Sequence, residues 1–120
     1  MQTKTNDTTT ARGREAEGRA ARYLEGCGLR VIERNFRVRG GEIDLICRDG
    51  KILVFVEVRQ RSRSDFGDAA ASITAGKRRR IVLAAQHYLL AKPAGDCRFD
   101  CILIDGEHLE WLKNAFAADD

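Results

Sequence analysis

Apolar and polar positions along the chain switch between a helical rhythm and a strand rhythm, and the switches mark out seven elements. From about Ala11, Ala16, Ala20, Tyr23 and Cys27 recur at helical spacing with Leu24 beside them, and Gly26 to Gly28 stop the helix. Leu29 to Arg37 alternates weakly and reads as a first strand carrying Arg30, Arg34 and Arg37. Gly40-Gly41 turns the chain into a second apolar run, Glu42 to Ile46, and Asp49-Gly50-Lys51 turns it again into Ile52 to Val58. That last run is apolar on both faces, as a central strand covered on both sides must be. A polar loop (Arg61 to Gly67) and a short helical turn (Asp68 to Ser72) lead to a second long helix. Thr74 is its N-cap, Ala91 its end, and Ile81, Ala84, Ala85, Tyr88 and Leu89 its apolar stripe. Arg98 to Asp105 reads as a fourth strand and Leu109 to Leu112 as a short fifth, with Ala115-Phe116 pinning the end to the core. The order α-β-β-β-α-β-β gives a mixed sheet flanked by helices, an α/β fold.

Two strands carry something costly. Asp44 lies inside the second apolar run, and Glu57 lies near the end of the third with Arg59 two residues on. Glu57 and Arg59 share a face of their strand, opposite Val56 and Val58. A carboxylate in a buried strand costs several kcal/mol unless it is paired, hydrogen-bonded or bound to a metal. Two of them suit a hard divalent cation such as Mg²⁺, which takes oxygen ligands and keeps waters of its own. Ion pairs with Arg59 or Arg48 are the competing explanation. Glu17, one turn before Ala20 and Ala21, borders the buried stripe of the first helix and is a candidate third ligand.

At 120 residues the chain makes one domain with a single core. Met1 to Thr10 is polar, rich in Thr and without periodicity, so a disordered leader over residues 1–10 is expected, then a domain over 11–116 and a frayed tail over 117–120. No apolar run approaches the ~20 residues of a membrane span. The start lacks the pattern of a cleavable signal, so the expected home is the cytoplasm. The four cysteines, Cys27, Cys47, Cys97 and Cys101, lie within or beside apolar runs and are expected to be buried, reduced thiols. Cys97 and Cys101 on one strand would stand ~13 Å apart at ~3.3 Å per residue. That is too far for one zinc with ligand bonds of ~2.3 Å.

The net charge of +3 is modest, but it is unevenly spread. Val58 to Arg80 carries seven basic residues against Asp65 and Asp68, whereas Asp96 to Asp120 carries seven acids against two bases. One face is therefore suited to a polyanion. Lys77, Arg78, Arg79 and Arg80 fall at the start of a helix, where its dipole disfavours cations, which points to an outside reason for them. Sequence-independent phosphate contact supplies one, with Arg61 and Arg63 in the preceding loop as further contacts. His87 and His108 show no metal spacing, Trp111 reads as a packing residue, and Asp100 as a structural carboxylate.

Carboxylates fixed at a sheet edge, a divalent metal and a neighbouring cation are the parts that phosphodiester cleavage needs. Several segments resemble the YraN family of small bacterial proteins, which is similar to archaeal Holliday-junction resolvases. They are Ala16-Glu17 with Ala20 and Tyr23-Leu24, Arg34-Asn35-Phe36, Gly41-Glu42-Ile43-Asp44-Leu45-Ile46, Phe55-Val56-Glu57-Val58-Arg59-Gln60-Arg61, Lys77, and Arg98-Phe99-Asp100. The resemblance covers residues 11–116 and implies a restriction-endonuclease-like core. Its nuclease signature is an Asp, then Glu/Asp-x-Lys, often preceded by a helical Glu. Asp44, Glu57 and Glu17 match those positions and are thereby implied as catalytic and Mg²⁺ (or Mn²⁺) ligands. Arg59 stands where the signature has lysine; a guanidinium stabilises charge but cannot act as a base. The resemblance further implies DNA as partner, branched or structured, and a homodimer. A catalytically silent nucleic-acid-binding protein, or an interaction module in a DNA-processing or cell-division complex, would carry much of the same sequence.

Overall fold

The computed structural model describes residues 7–60 and 73–119. It has two helices and five strands: α1 (Asp7–Gly26), β1 (Arg30–Val38), β2 (Gly41–Asp49), β3 (Ile52–Gln60), α2 (Ala75–Ala91), β4 (Cys97–Asp105) and β5 (His108–Phe116). This is the α-β-β-β-α-β-β order expected from the pattern. The strands form one sheet in the order β1-β2-β3-β4-β5. Neighbours are antiparallel except β3 and β4, which run parallel because α2 carries the chain across between them.

The helices cover opposite faces. Ala16, Ala20, Ala21 and Leu24 of α1 pack on Leu45, Cys47, Val54, Val56, Ile102 and Ile104. Ile81, Ala84, Ala85 and Tyr88 of α2 pack on Ile43, Ile46, Leu53, Phe55, Phe99, Cys101 and Leu103. Alternate residues of β3 thus feed alternate layers, which is why Ile52 to Val58 carries no polar face until Glu57. Small residues on α1 let the helix lie close to the sheet.

Several boundaries differ from the expectation. Helix α1 starts at Asp7 rather than Ala11, since a run of threonines gives no periodicity to read. Its buried stripe turns on Leu24, while Tyr23 is exposed and stands edge-on to Trp111, the ring centroids 6.3 Å apart. Cys27 lies past the helix end and is exposed, as is Cys97 at the start of β4. Only Cys47 and Cys101 are the buried thiols expected of all four. Strand β5 runs on to Phe116, whose ring stacks on Phe99 at 4.9 Å and anchors the end of the chain. Thr74 caps α2 as expected, its hydroxyl accepting the Lys77 N–H at 3.2 Å. The loop and turn expected over 61–72, with Arg61 and Arg63, lie outside the described residues, as do residues 1–6 of the expected leader.

Candidate functional site

Strands β2 and β3 part company where their acids sit. Their register runs from Asp49↔Ile52 up to Leu45↔Val56 and stops there. Asp44 and Glu57 are the next residue on each strand. The regular alternation of β2 also breaks at this point: Ile43 packs in the α2 layer, while Leu45, two residues on, packs in the α1 layer. Across from it on β1, Asn35 takes a left-handed backbone conformation, φ 54°. The irregularity turns Asp44 into the gap between the strands, where its Oδ2 accepts the N–H of Val58 at 2.8 Å.

Three carboxyl groups meet in the gap. Asp44 is 8% and Glu57 4% exposed, and their side chains are within hydrogen-bond reach of each other. Glu17, half-buried on α1, reaches Asp44 from the other side and is also bonded to the side chain of Asn35. Negative charge on one acid disfavours the ionised form of its neighbour. Burial, and next the charge of Glu57, push the carboxyl of Asp44 up to about 7, against the downward pull of the Val58 N–H. Burial, and next the charge of Asp44, raise that of Glu17.

The cation beside Glu57 comes from α2. Lys77 Nζ stands 3.2 Å from Glu57 Oε2. The competing ion-pair explanation named Arg59 or Arg48; the cation beside Glu57 is instead Lys77, which the sequence offered as a phosphate contact. The pairing depends on the crossover that lays the start of α2 over the end of β3, which no local pattern reveals. Gly41 allows the approach: a Cβ there would run into the Arg80 carbonyl and stand 3.1 Å from the Ala84 nitrogen. A pocket of about 60 Å³ opens beside Glu57, lined by Glu42, Glu57, Lys77, Arg80 and Ile81. Next to it, a cleft of about 570 Å³ is lined by Gly40, Thr74, Gly76, Lys77, Arg79, Arg80 and Leu83. Lys77 and Arg80 border both.

The model of the uncharacterised protein family UPF0102 matches residues 16–104, a span that holds all of these side chains. The chain belongs to this family. It is 84% identical to a UPF0102 protein of Dechloromonas aromatica over the whole of both chains. A UPF0102 protein of Cupriavidus taiwanensis is 57% identical, over 91% of this chain and 85% of its own. One of Nitrosospira multiformis is 50% identical, over 91% and 95%. UPF0102 is the family that the sequence motifs resembled, also called YraN.

The remaining candidates in this UPF0102 chain sort by place. Arg59 follows Glu57 on β3, paired with Leu103 of β4. Arg79 and Arg80 line the cleft, whereas Arg78 turns back, its Nε donating to the Ile73 carbonyl at 3.0 Å and its guanidinium lying over Phe116. Asp100 is structural: fully buried, it accepts from Arg98 Nε, from Trp111 Nε1 at 3.0 Å and from the Asn114 N–H at 2.8 Å. Arg98 also reaches Asp49 at 3.1 Å, so this network ties the β2–β3 turn to β4 and β5. His87 and His108 are exposed, and no described helix is long and apolar enough to cross a membrane.

Proposed function

We propose that this chain binds DNA and hydrolyses its phosphodiester bonds with the help of a divalent cation, acting on branched or otherwise structured DNA. The observation that carries the reading is the parting of β2 and β3 at two buried acids, Asp44 and Glu57, beside a basic cleft. Structural acids are normally satisfied as Asp100 is, by donors on every side. Asp44 and Glu57 instead face each other and Glu17 and, among the described residues, meet the Val58 N–H and the Lys77 ammonium. Such a donor set suits a hard cation that takes one or two carboxylates and keeps several waters.

Among the described residues, no three His, Cys, Asp or Glu side chains stand ready-made as a metal-holding group. Asp44 and Glu57 would hold Mg²⁺ or Mn²⁺ as two carboxylate ligands with waters completing the shell, and Glu17, which reaches Asp44 from α1, would join them as the ion draws the carboxylates in. When bound, the ion supplies Lewis-acid polarisation of the phosphate and a more acidic water. Cation binding would favour the ionised form of Asp44, whose carboxyl is otherwise pushed up to about 7. Arg79 and Arg80 hold backbone phosphates along the cleft and so bring a strand to the pocket. A homodimer, cutting two strands symmetrically, belongs to the same proposal.

The test is incubation of the purified chain with labelled four-way junction, flap, single-stranded and duplex DNA, with Mg²⁺, Mn²⁺ or EDTA. Metal-dependent cutting that Asp44→Asn and Glu57→Gln both abolish is the expected result. Salt-sensitive binding without cutting under any metal would make the chain a binding protein, and neither binding nor cutting would make it an interaction module.

A further inference from the structure

We infer that Lys77, delivered by α2, is the catalytic cation of this site, in place of the side chain two residues after Glu57. The inference rests on the hydrolytic reading above and adds to it a residue that the strand signature does not contain.

Five observations converge on Lys77. Its ammonium stands 3.2 Å from Glu57 Oε2, at the mouth of the carboxylate gap. It borders both the small pocket beside Glu57 and the larger basic cleft, so a phosphate passing from one to the other meets it. Its backbone is fixed, since its own N–H is taken by the Thr74 cap and the helix is seated over Gly41 without a side chain between. The pair is lopsided, 44% exposed at Lys77 against 5% at Glu57, so the ammonium offsets a buried carboxylate and still stays open to an incoming phosphate. The first turn of α2 holds no acid of its own; Glu57 on β3 is the carboxylate that faces Lys77, and a phosphate would add a second anion at this helix end.

The chemistry asked of it is modest. Water adds to phosphorus and releases its proton to solvent, the bond from phosphorus to the leaving oxygen breaks, and that oxygen takes a proton from solvent. One water is consumed per bond. Lys77 donates hydrogen bonds to a non-bridging oxygen as charge builds there, which is worth most in a partly dehydrated pocket. Arg59 bears the same charge, but only as a planar, strongly basic guanidinium on the strand itself.

The experiment compares cleavage of the preferred DNA by the wild type, Lys77→Ala and Lys77→Gln, with DNA binding measured in EDTA. Thermal melting of each variant checks the fold, and glutamine keeps a hydrogen-bond donor without the charge where alanine removes both. A fall of about 10²–10³-fold in kcat, with DNA affinity changed less than tenfold, is the expected result. A kcat equal to the wild type's in a folded variant, or a loss confined to KM and DNA affinity, would overturn it and return Lys77 to the phosphate track. If the wild type cuts nothing with either metal, the hydrolytic reading itself fails and the role of Lys77 falls with it.

Discussion

The N–H of Val58 donates to the carboxylate of Asp44 at 2.8 Å, two positions past the last residue pair that β2 and β3 share. A side chain thus takes over where the backbone ladder stops, and the strands open around it. The gap is the origin of the site. It lets Glu57 approach Asp44 from the facing strand while Glu17 closes in from α1.

Asp44→Asn should separate stability from function. Asparagine keeps an oxygen for the Val58 N–H but removes a charge from among Glu17 and Glu57. At pH 8 without metal, the variant is expected to melt several degrees above the wild type, a gain of about 1 kcal/mol or more. Its DNA cleavage should be lost. Calorimetric melting of both proteins in EDTA gives the answer, and a lower melting point in the variant would mean that Asp44 is a stabilising carboxylate.

Stability of the metal-free chain should fall as pH rises. The pKa of Asp44 in the fold, about 7, lies above its ordinary 3.8. Between those values the folded chain binds more protons than the unfolded one, so the slope of stability with pH is negative there. The contribution is full below pH ~4 and is lost as pH passes ~7, on the order of a few kcal/mol. Urea midpoints at pH 5 and pH 8 in EDTA measure it, and Asp44→Asn should flatten the difference.

How much of this was legible in the sequence follows from what each residue answers to. Asp44 and Glu57 stood out because a charge inside an apolar strand breaks a local rule, and Thr74 because a cap is a local device. The two layers followed from the alternation in Ile52 to Val58. Lys77 was read only as one of four basic residues, since its pairing with Glu57 is made by the β3-α2-β4 crossover. Tyr23 and Cys27 kept helical spacing yet stand in solvent; Leu24 supplies the buried contact, and the helix ends before Cys27. The bend at Asp44 was hidden because neither Asn35 nor Ile43 is a residue type that demands one.

Gly41→Ala should act at a distance. The added methyl meets the backbone of α2 at Arg80 and Ala84, and backbone yields less readily than a flexible side chain. Overpacking of this kind costs about 1–3 kcal/mol. Displacing α2 also draws Lys77 away from Glu57, so cleavage should fall further than DNA binding. Equal losses in both, or none, would show that the seat of α2 does not govern the site.

The cleft predicts a salt dependence. The double variant Arg79→Ala/Arg80→Ala should weaken DNA binding across all sequences and lower the slope of log K against log salt by about 2, near one unit per phosphate contact. Fluorescence anisotropy from 50 to 300 mM salt reads both, and an unchanged slope would place the phosphates elsewhere.

Asp100→Ala should damage the fold rather than the chemistry. It strips Arg98, Trp111 and the Asn114 N–H of a shared acceptor in a fully buried place, at a cost of about 3–5 kcal/mol. Denaturation should show that loss, while whatever remains folded keeps its metal affinity.

Whether the acids between β2 and β3 hold a cation is decided most directly by titrating Mg²⁺ and Mn²⁺ into the wild type and Glu57→Gln at pH 8 in a calorimeter, with no DNA present. The expected result is saturable binding by the wild type and affinity at least tenfold weaker in Glu57→Gln. Heats that do not saturate in the wild type, or equal affinity in the variant, would contradict it.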